Sequence, residues 1–209
     1  ADELLTIAGV GASFVMYGDE QVNVTKVTED GIEVEKELPI TEGKKQTATV
    51  GNYIVIFPDK VYYRVATETE PAEYGSMEAE YTAKGLKFTN NTITTPDANF
   101  KFREGDAVTI SGCKTKGNEK EIIIRSISDK EIKFADNSFT ECTEEDEVTL
   151  KRKVPDLDFI CECNYRLWGT HGNTIYSSKF SDPLNFGVFD GLASDSYAIE
   201  LGTEGEFTG

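Results

Sequence analysis

Apolar and polar residues alternate with a period near two through much of this chain, and the runs are short. Leu4–Ala8, Ser13–Tyr17 and Gln21–Val27 each read as a strand, and Ile32 and Val34 resume the alternation after Asp30-Gly31. Gly9-Val10-Gly11, Gly18-Asp19 and Asp30-Gly31 supply the turn chemistry between them. Thr49–Phe57 continues the pattern and Val61–Val65 returns it, with Pro58 placed where a type I turn uses its fixed φ. Residues 67–80 are acidic and poor in apolar side chains, which predicts an exposed loop. Tyr81–Ile93 reads as a hairpin turning at Asn90-Asn91. No helical period of any length competes with this pattern.

One piece of text occurs twice. NYIVIFPDKVYY (52–63) and NYRLWGTHGNTIYSS (164–178) both open on Asn-Tyr, carry an apolar run, turn, and return with a Val/Ile-Tyr pair. LLTIAGVGASFVMYGD near the start is a third strand-turn-strand unit. Small sheets repeated in this way predict an all-β fold of antiparallel hairpins, either propeller-blade-like or packed as sandwiches. Between the copies, residues 97–153 read as a unit of their own. Val108 and Ile110, Ile122, Ile124 and Ile127, Ile132 and Phe134, and Val148 and Leu150 mark four or five short alternating strands, a small β-barrel-like insertion. The expected organisation is a hairpin domain over 1–96, an inserted β module over 97–153, and the hairpin domain again over 154–209. After Val154-Pro155, strands are expected at Phe159–Cys163, Tyr165–Gly169 and Thr174–Phe180, with more strand-like text at Asn185–Phe189 and Ser196–Leu201.

Charge narrows the function. The 209 residues carry 38 acidic and 21 basic side chains, a formal net charge of −17. Such a surface repels phosphate backbones and anionic lipid heads. The basic run Lys151-Arg152-Lys153 is short and reads as a solvated strand end. No apolar run is long enough for a membrane-spanning helix. The first residue is Ala1 and the last strand-like text lies close to Gly209, so a fragment of a longer protein is expected, with N-terminal processing as the alternative. The acidic run Glu141–Glu147 lacks the spacing of a calcium loop and reads as a solvated charge run. Cys161 and Cys163 are two apart on one strand, poorly placed to bridge each other. No zinc spacing accompanies them, reduced thiols are the expectation, and a Cys113–Cys142 bridge stays open.

Catalytic motifs are missing from the text: there is no G-x-S-x-G, no P-loop and no H-E-x-x-H. The single histidine, His171, sits in a Gly-Thr-His-Gly-Asn turn and reads as exposed. No enzyme and no cofactor is expected. The candidate binding residues are Tyr165, Trp168 and Tyr176, on neighbouring strands of one hairpin, where aromatic rings stack on sugars or pack on one another. In strict alternation Trp168 shares a face with Arg166 and Thr170, while Tyr165, Leu167 and Gly169 share the other.

The run Val154–Gly209, with NYRLWG, the IYSS return and DPLNF, resembles structural proteins of tailed bacteriophages and prophages of Gram-positive hosts. FREGDAVTISG (102–112) resembles small β modules inserted in many tail proteins, and GNYIVIFPDKVY (51–62) fits the same group. These motifs are structural. The resemblance implies a non-enzymatic virion protein contributing to tail or neck assembly, made in the bacterial host cytoplasm. Its implied partners are other virion proteins and further copies of itself, with no sequence-specific nucleic-acid binding and no membrane insertion. The alternative is a cell-surface or carbohydrate-binding β module.

Overall fold

The computed structural model describes residues 4–9, 12–17, 20–28, 31–37, 40, 41, 43–97, 99–135, 138–189, 191–202, 205, 207 and 208, with backbone only before residue 40. Among the described residues, twenty strands and one 3-10 turn, Lys116–Asn118, make up the regular structure. The fold is all-β and antiparallel, as the period-two text predicts.

Three of its four sheets are four-stranded meanders in sequence order. The first is β1 (Leu4–Gly9), β2 (Ala12–Tyr17), β3 (Glu20–Thr28) and β4 (Gly31–Glu37). The second is β5 (Gln46–Val50), β6 (Tyr53–Phe57), β7 (Val61–Arg64) and β8 (Glu73–Ser76). Thr49–Phe57 is therefore two strands, split by a turn in which Gly51 takes a φ of 60°. β8 forms inside the text read as an exposed loop, because Tyr63↔Tyr74 and Val61↔Ser76 extend the ladder beyond the few apolar residues available. The Phe57–Pro58 peptide is cis, and Lys60 takes a φ of 53° just before β7.

The eight-stranded sheet comprises β9 (Ala79–Ala83), β10 (Leu86–Thr89), β11 (Thr92–Thr94), β12 (Ala107–Ser111), β13 (Glu121–Ile127), β14 (Glu131–Phe134), β15 (Cys142–Glu144) and β16 (Val148–Arg152). Their spatial order is β15-β10-β11-β14-β13-β12-β16-β9. β13 joins the halves: its first residues pair with β12, its last with β14, and the register shifts between Ile124 and Ser126. Such a shift bends a strand and lets a sheet curl over its own apolar face. One core results, in which Leu86, Phe88, Ile124, Ile132, Phe134 and Leu150 are fully buried. β15 and β9 remain the two edges, so the sheet is open and not a closed barrel. It takes in β9 to β11, which lie before residue 97.

The last sheet is β17 (Phe159–Cys163), β18 (Arg166–His171), β19 (Thr174–Ser177) and β20 (Tyr197–Glu200), again in order. Asn185–Phe189 is not a strand; β20 arrives only after this long connection. The two Asn-Tyr texts have similar places. Each stands where the chain enters the second strand of a meander, offset by one residue: Asn52 ends the turn and Tyr53 begins β6, whereas Asn164 and Tyr165 are both in the turn, with φ of 52° and 57°.

The second and last sheets pack together. Val50, Val55, Phe57 and Tyr62 meet Leu167, Leu157 and Phe186 in one core. Gln46 clamps the edge, donating to the Asp158 carbonyl (2.6 Å) and accepting from the Ile160 N–H (3.2 Å). The alternate residues Ile54, Ile56, Val61 and Tyr63 form a separate core on the other face of β6 and β7. Both faces of these strands are buried, which accounts for the unbroken apolar run YIVIF.

Candidate functional site

The last sheet has one face in the core and one outside. Its register places Cys161, Trp168, Ser177 and Tyr197 in one cross-strand row, and Phe159, Thr170, Ile175 and Ile199 in the next. Residues directly opposite share a face. Leu167 is fully buried on the opposite face, so Trp168 looks outward. Gly169 sits beside Leu167 because nothing larger fits: a Cβ there would lie 2.6 Å from a Leu157 methyl and 2.8 Å from the Phe159 carbonyl oxygen.

The three candidate aromatics occupy three different environments. Trp168 is half-buried and its ring stacks on Tyr197, with centroids 6.4 Å apart and an interplanar angle of 4°. The small Ser177 between them in the row leaves room for this contact. The Trp168 indole N–H donates to the Cys163 carbonyl at 3.1 Å. Tyr165 lies in the preceding turn, 60% exposed, tilted against Phe180 at 5.8 Å. Tyr176 is half-buried and packs into the core shared with the second sheet. One flat platform of three rings does not form.

Beside Trp168 lies an open hollow of about 570 Å3, bounded by Phe159, Cys161, Cys163, Thr170, Ile175 and Phe207. Its walls are predominantly apolar. Below it Arg166 is buried, donating to the carbonyls of Ser178 (2.7 Å), Ala193 (2.7 Å) and Asp195 (2.5 Å). Its guanidinium also lies 5.1 Å from the Tyr197 ring centre. Arg166 thus pins the loop before β20, and the Asp195 carboxylate tightens that loop by accepting from the N–H groups of Gly191 (2.6 Å) and Leu192 (3.0 Å).

A buried charge cluster escaped the sequence reading. Asp106, fully buried at the start of β12, accepts from Arg152 (2.5 Å), from the Arg103 N–H (2.8 Å) and from the Asn185 amide (3.2 Å). Arg103 reaches on to Asp182 (3.1 Å) and the Tyr53 hydroxyl (2.9 Å). Burial lowers the pKa of Arg103, but Asp182 and Asp106 raise it more, and the net direction is upward. Arg152 also donates to the Met77 carbonyl at 3.1 Å. The bonded pairs lie up to 79 positions apart and tie the eight-stranded sheet to the second sheet and to the connection inside the last one. Arg152 is therefore no solvated strand end, because its charge is spent on Asp106.

The acidic run is corrected in the same way at one position. Glu144 is buried, and its carboxylate accepts the backbone N–H groups of Lys114 (2.9 Å) and Thr115 (3.0 Å). Burial raises its pKa, the N–H groups of Thr115 and Lys114 lower it, and the net shift is downward. All four cysteines are free, so the Cys113–Cys142 bridge does not form. Burial, with Glu144 and Glu119 nearby, pushes the Cys113 thiol up to about 12. Cys161 and Cys163 are exposed on the outer face. His171 is exposed and pairs with Asp158 at 3.0 Å. Among the described residues no cluster of His, Cys, Asp or Glu has the makings of a metal site. No helix among them is long and apolar enough to cross a membrane. No protein-family model and no curated protein matches the chain.

Proposed function

We propose that this chain is a non-enzymatic structural part of a tailed-phage virion, acting in tail or neck assembly through stacked, blade-like β-sheets. In this reading the four-stranded meanders are propeller blades and the curled eight-stranded sheet is a module inserted between two of them. The observation that carries it is the last sheet, which buries one face against its neighbour and presents outward a second, largely apolar face on which the one charged side chain, Arg166, is buried. A sheet with two apolar faces is a stacking unit, and its outer face suits contact with another protein. Phage origin itself rests on the resemblance of NYRLWG, IYSS, DPLNF and FREGDAVTISG to tail proteins.

Recognition of sugars is less well supported by the geometry. One face of Trp168 is occupied by Tyr197 and its N–H by Cys163. Sugar sites need several convergent polar groups beside an exposed ring, and the hollow is almost wholly apolar. The test is immunogold labelling of particles induced from the source organism. Label at one defined place on the tail or neck is the expected result. Absence from intact and disrupted particles, with label on the cell surface, would overturn the proposal in favour of a surface-binding module.

A further inference from the structure

The outer face of the last sheet has features of its own that point to what covers it. Its cross-strand rows, running from Phe159 to Ile199 and from Cys161 to Tyr197, contain no carboxylate. This is notable in a chain with 38 acidic residues. The strand residues Glu162 and Glu200 fall on the opposite alternation, directed away from this face. The relief of the face is lopsided. Tyr197 and Ile199, 40% and 52% exposed, form a ridge along β20, and the apolar hollow lies mainly along β17 and β18, with Ile175 and Phe207 also in its wall.

We infer that this face docks on the same face of a second copy of the chain, about a two-fold axis that seats the β20 ridge of each copy in the β17–β18 hollow of the other. A surface carrying its own ridge and its own hollow is self-complementary under a two-fold. The packing has a precedent within the chain, where the inner face of the same sheet is already covered by a four-stranded sheet. Keeping acids off the face removes the like-charge contact that would forbid self-association. The inference rests on the assembly reading above and names the surface by which copies join.

Size sets the strength. Four strands of about five residues make a face about 19 Å by about 17 Å. That is well below the roughly 800 Å2 per partner of a stable interface. The isolated contact is therefore weak and gains strength when repeated in an assembly. The net charge of −17 on each copy opposes approach from a distance, so added salt strengthens the contact by screening.

Analytical ultracentrifugation of the chain tests this, from about 1 μM to about 500 μM, in low and high NaCl. The expected result is a monomer–dimer equilibrium that tightens several-fold with salt, with Cys161 alkylation slowing as the dimer forms. Ile199→Asp, at an exposed position that leaves the fold intact by circular dichroism, is expected to shift the chain to monomer, and Ile199→Leu to keep the dimer. A chain monomeric throughout overturns the inference, as does a dimer that salt dissolves. So does a dimer unaffected by Ile199→Asp with Cys161 still reactive; in that case copies join elsewhere and the assembly reading survives. Absence of the protein from virions would sink the virion reading while leaving this face contact standing.

Discussion

Replacing Asp106 with Ala removes the centre of the buried charge cluster. The carboxylate accepts from Arg152, from the Arg103 N–H and from Asn185, and both Asp106 and Arg152 are shielded from solvent. The loss strands the Arg152 guanidinium with only the Met77 carbonyl on its Nε. Removing one partner of a buried pair costs about 3–5 kcal/mol, mostly from the charge left behind. Arg152→Met alone is expected to cost about as much, because Asp106 is then the uncompensated ion. The double variant Asp106→Ala/Arg152→Met strands neither charge. It is expected to be about 2 kcal/mol or more less destabilised than the sum of the singles. Urea unfolding at neutral pH, followed by far-UV circular dichroism and by the fluorescence of Trp168, the single tryptophan, gives all four stabilities. Trp168 lies in the last sheet and Asp106 in the eight-stranded one, so a shift of the fluorescence transition also shows that the cluster couples the two. An Asp106→Ala cost below about 1 kcal/mol, or strict additivity of the pair, would refute the reasoning.

Gly169→Ala is expected to destabilise by about 1–3 kcal/mol, since the new methyl meets Leu157 and the Phe159 carbonyl; thermal melts check it, and an unchanged melting temperature contradicts the close packing. Trp168→Ala is expected to cost about 1–2 kcal/mol, short of the roughly 3–5 of a fully buried ring, because the indole is half-exposed. Glu144 has a folded-state pKa below its ordinary 4.5, so its contribution is complete above that value and is lost as pH falls through the folded pKa. Urea midpoints measured from neutral to acidic pH should fall more steeply for the natural chain than for Glu144→Gln, and parallel curves would exclude this role. Timed alkylation with mass spectrometry should modify Cys161 and Cys163 first and Cys113 last, its thiol being buried and pushed up to about 12.

Local pattern determined the class of fold. Period-two text with glycine, asparagine and aspartate at its breaks is enough to make strands and tight turns, and the described structure is antiparallel β throughout. The Asn-Tyr repeat marked the entry to the second strand of a four-stranded meander in both places, offset by one residue, because turn chemistry is local. The alternation at Arg166–Thr170 fixed which residues share a face. It left open which face is wet, since that depends on what lies across from Leu167, and the second sheet arrives from more than a hundred residues away. β8 was hidden for a related reason: its residues are polar and become a strand only through the ladder offered by β7. The eight-stranded order and its open edges follow from the bend in β13 and from pairings such as β16 with β9, between segments far apart in the chain. The cluster around Asp106 is the extreme case. A lone Asp, two arginines and an Asn carry no motif, and only the meeting of three sheets gives each charge the partner that makes its burial tolerable.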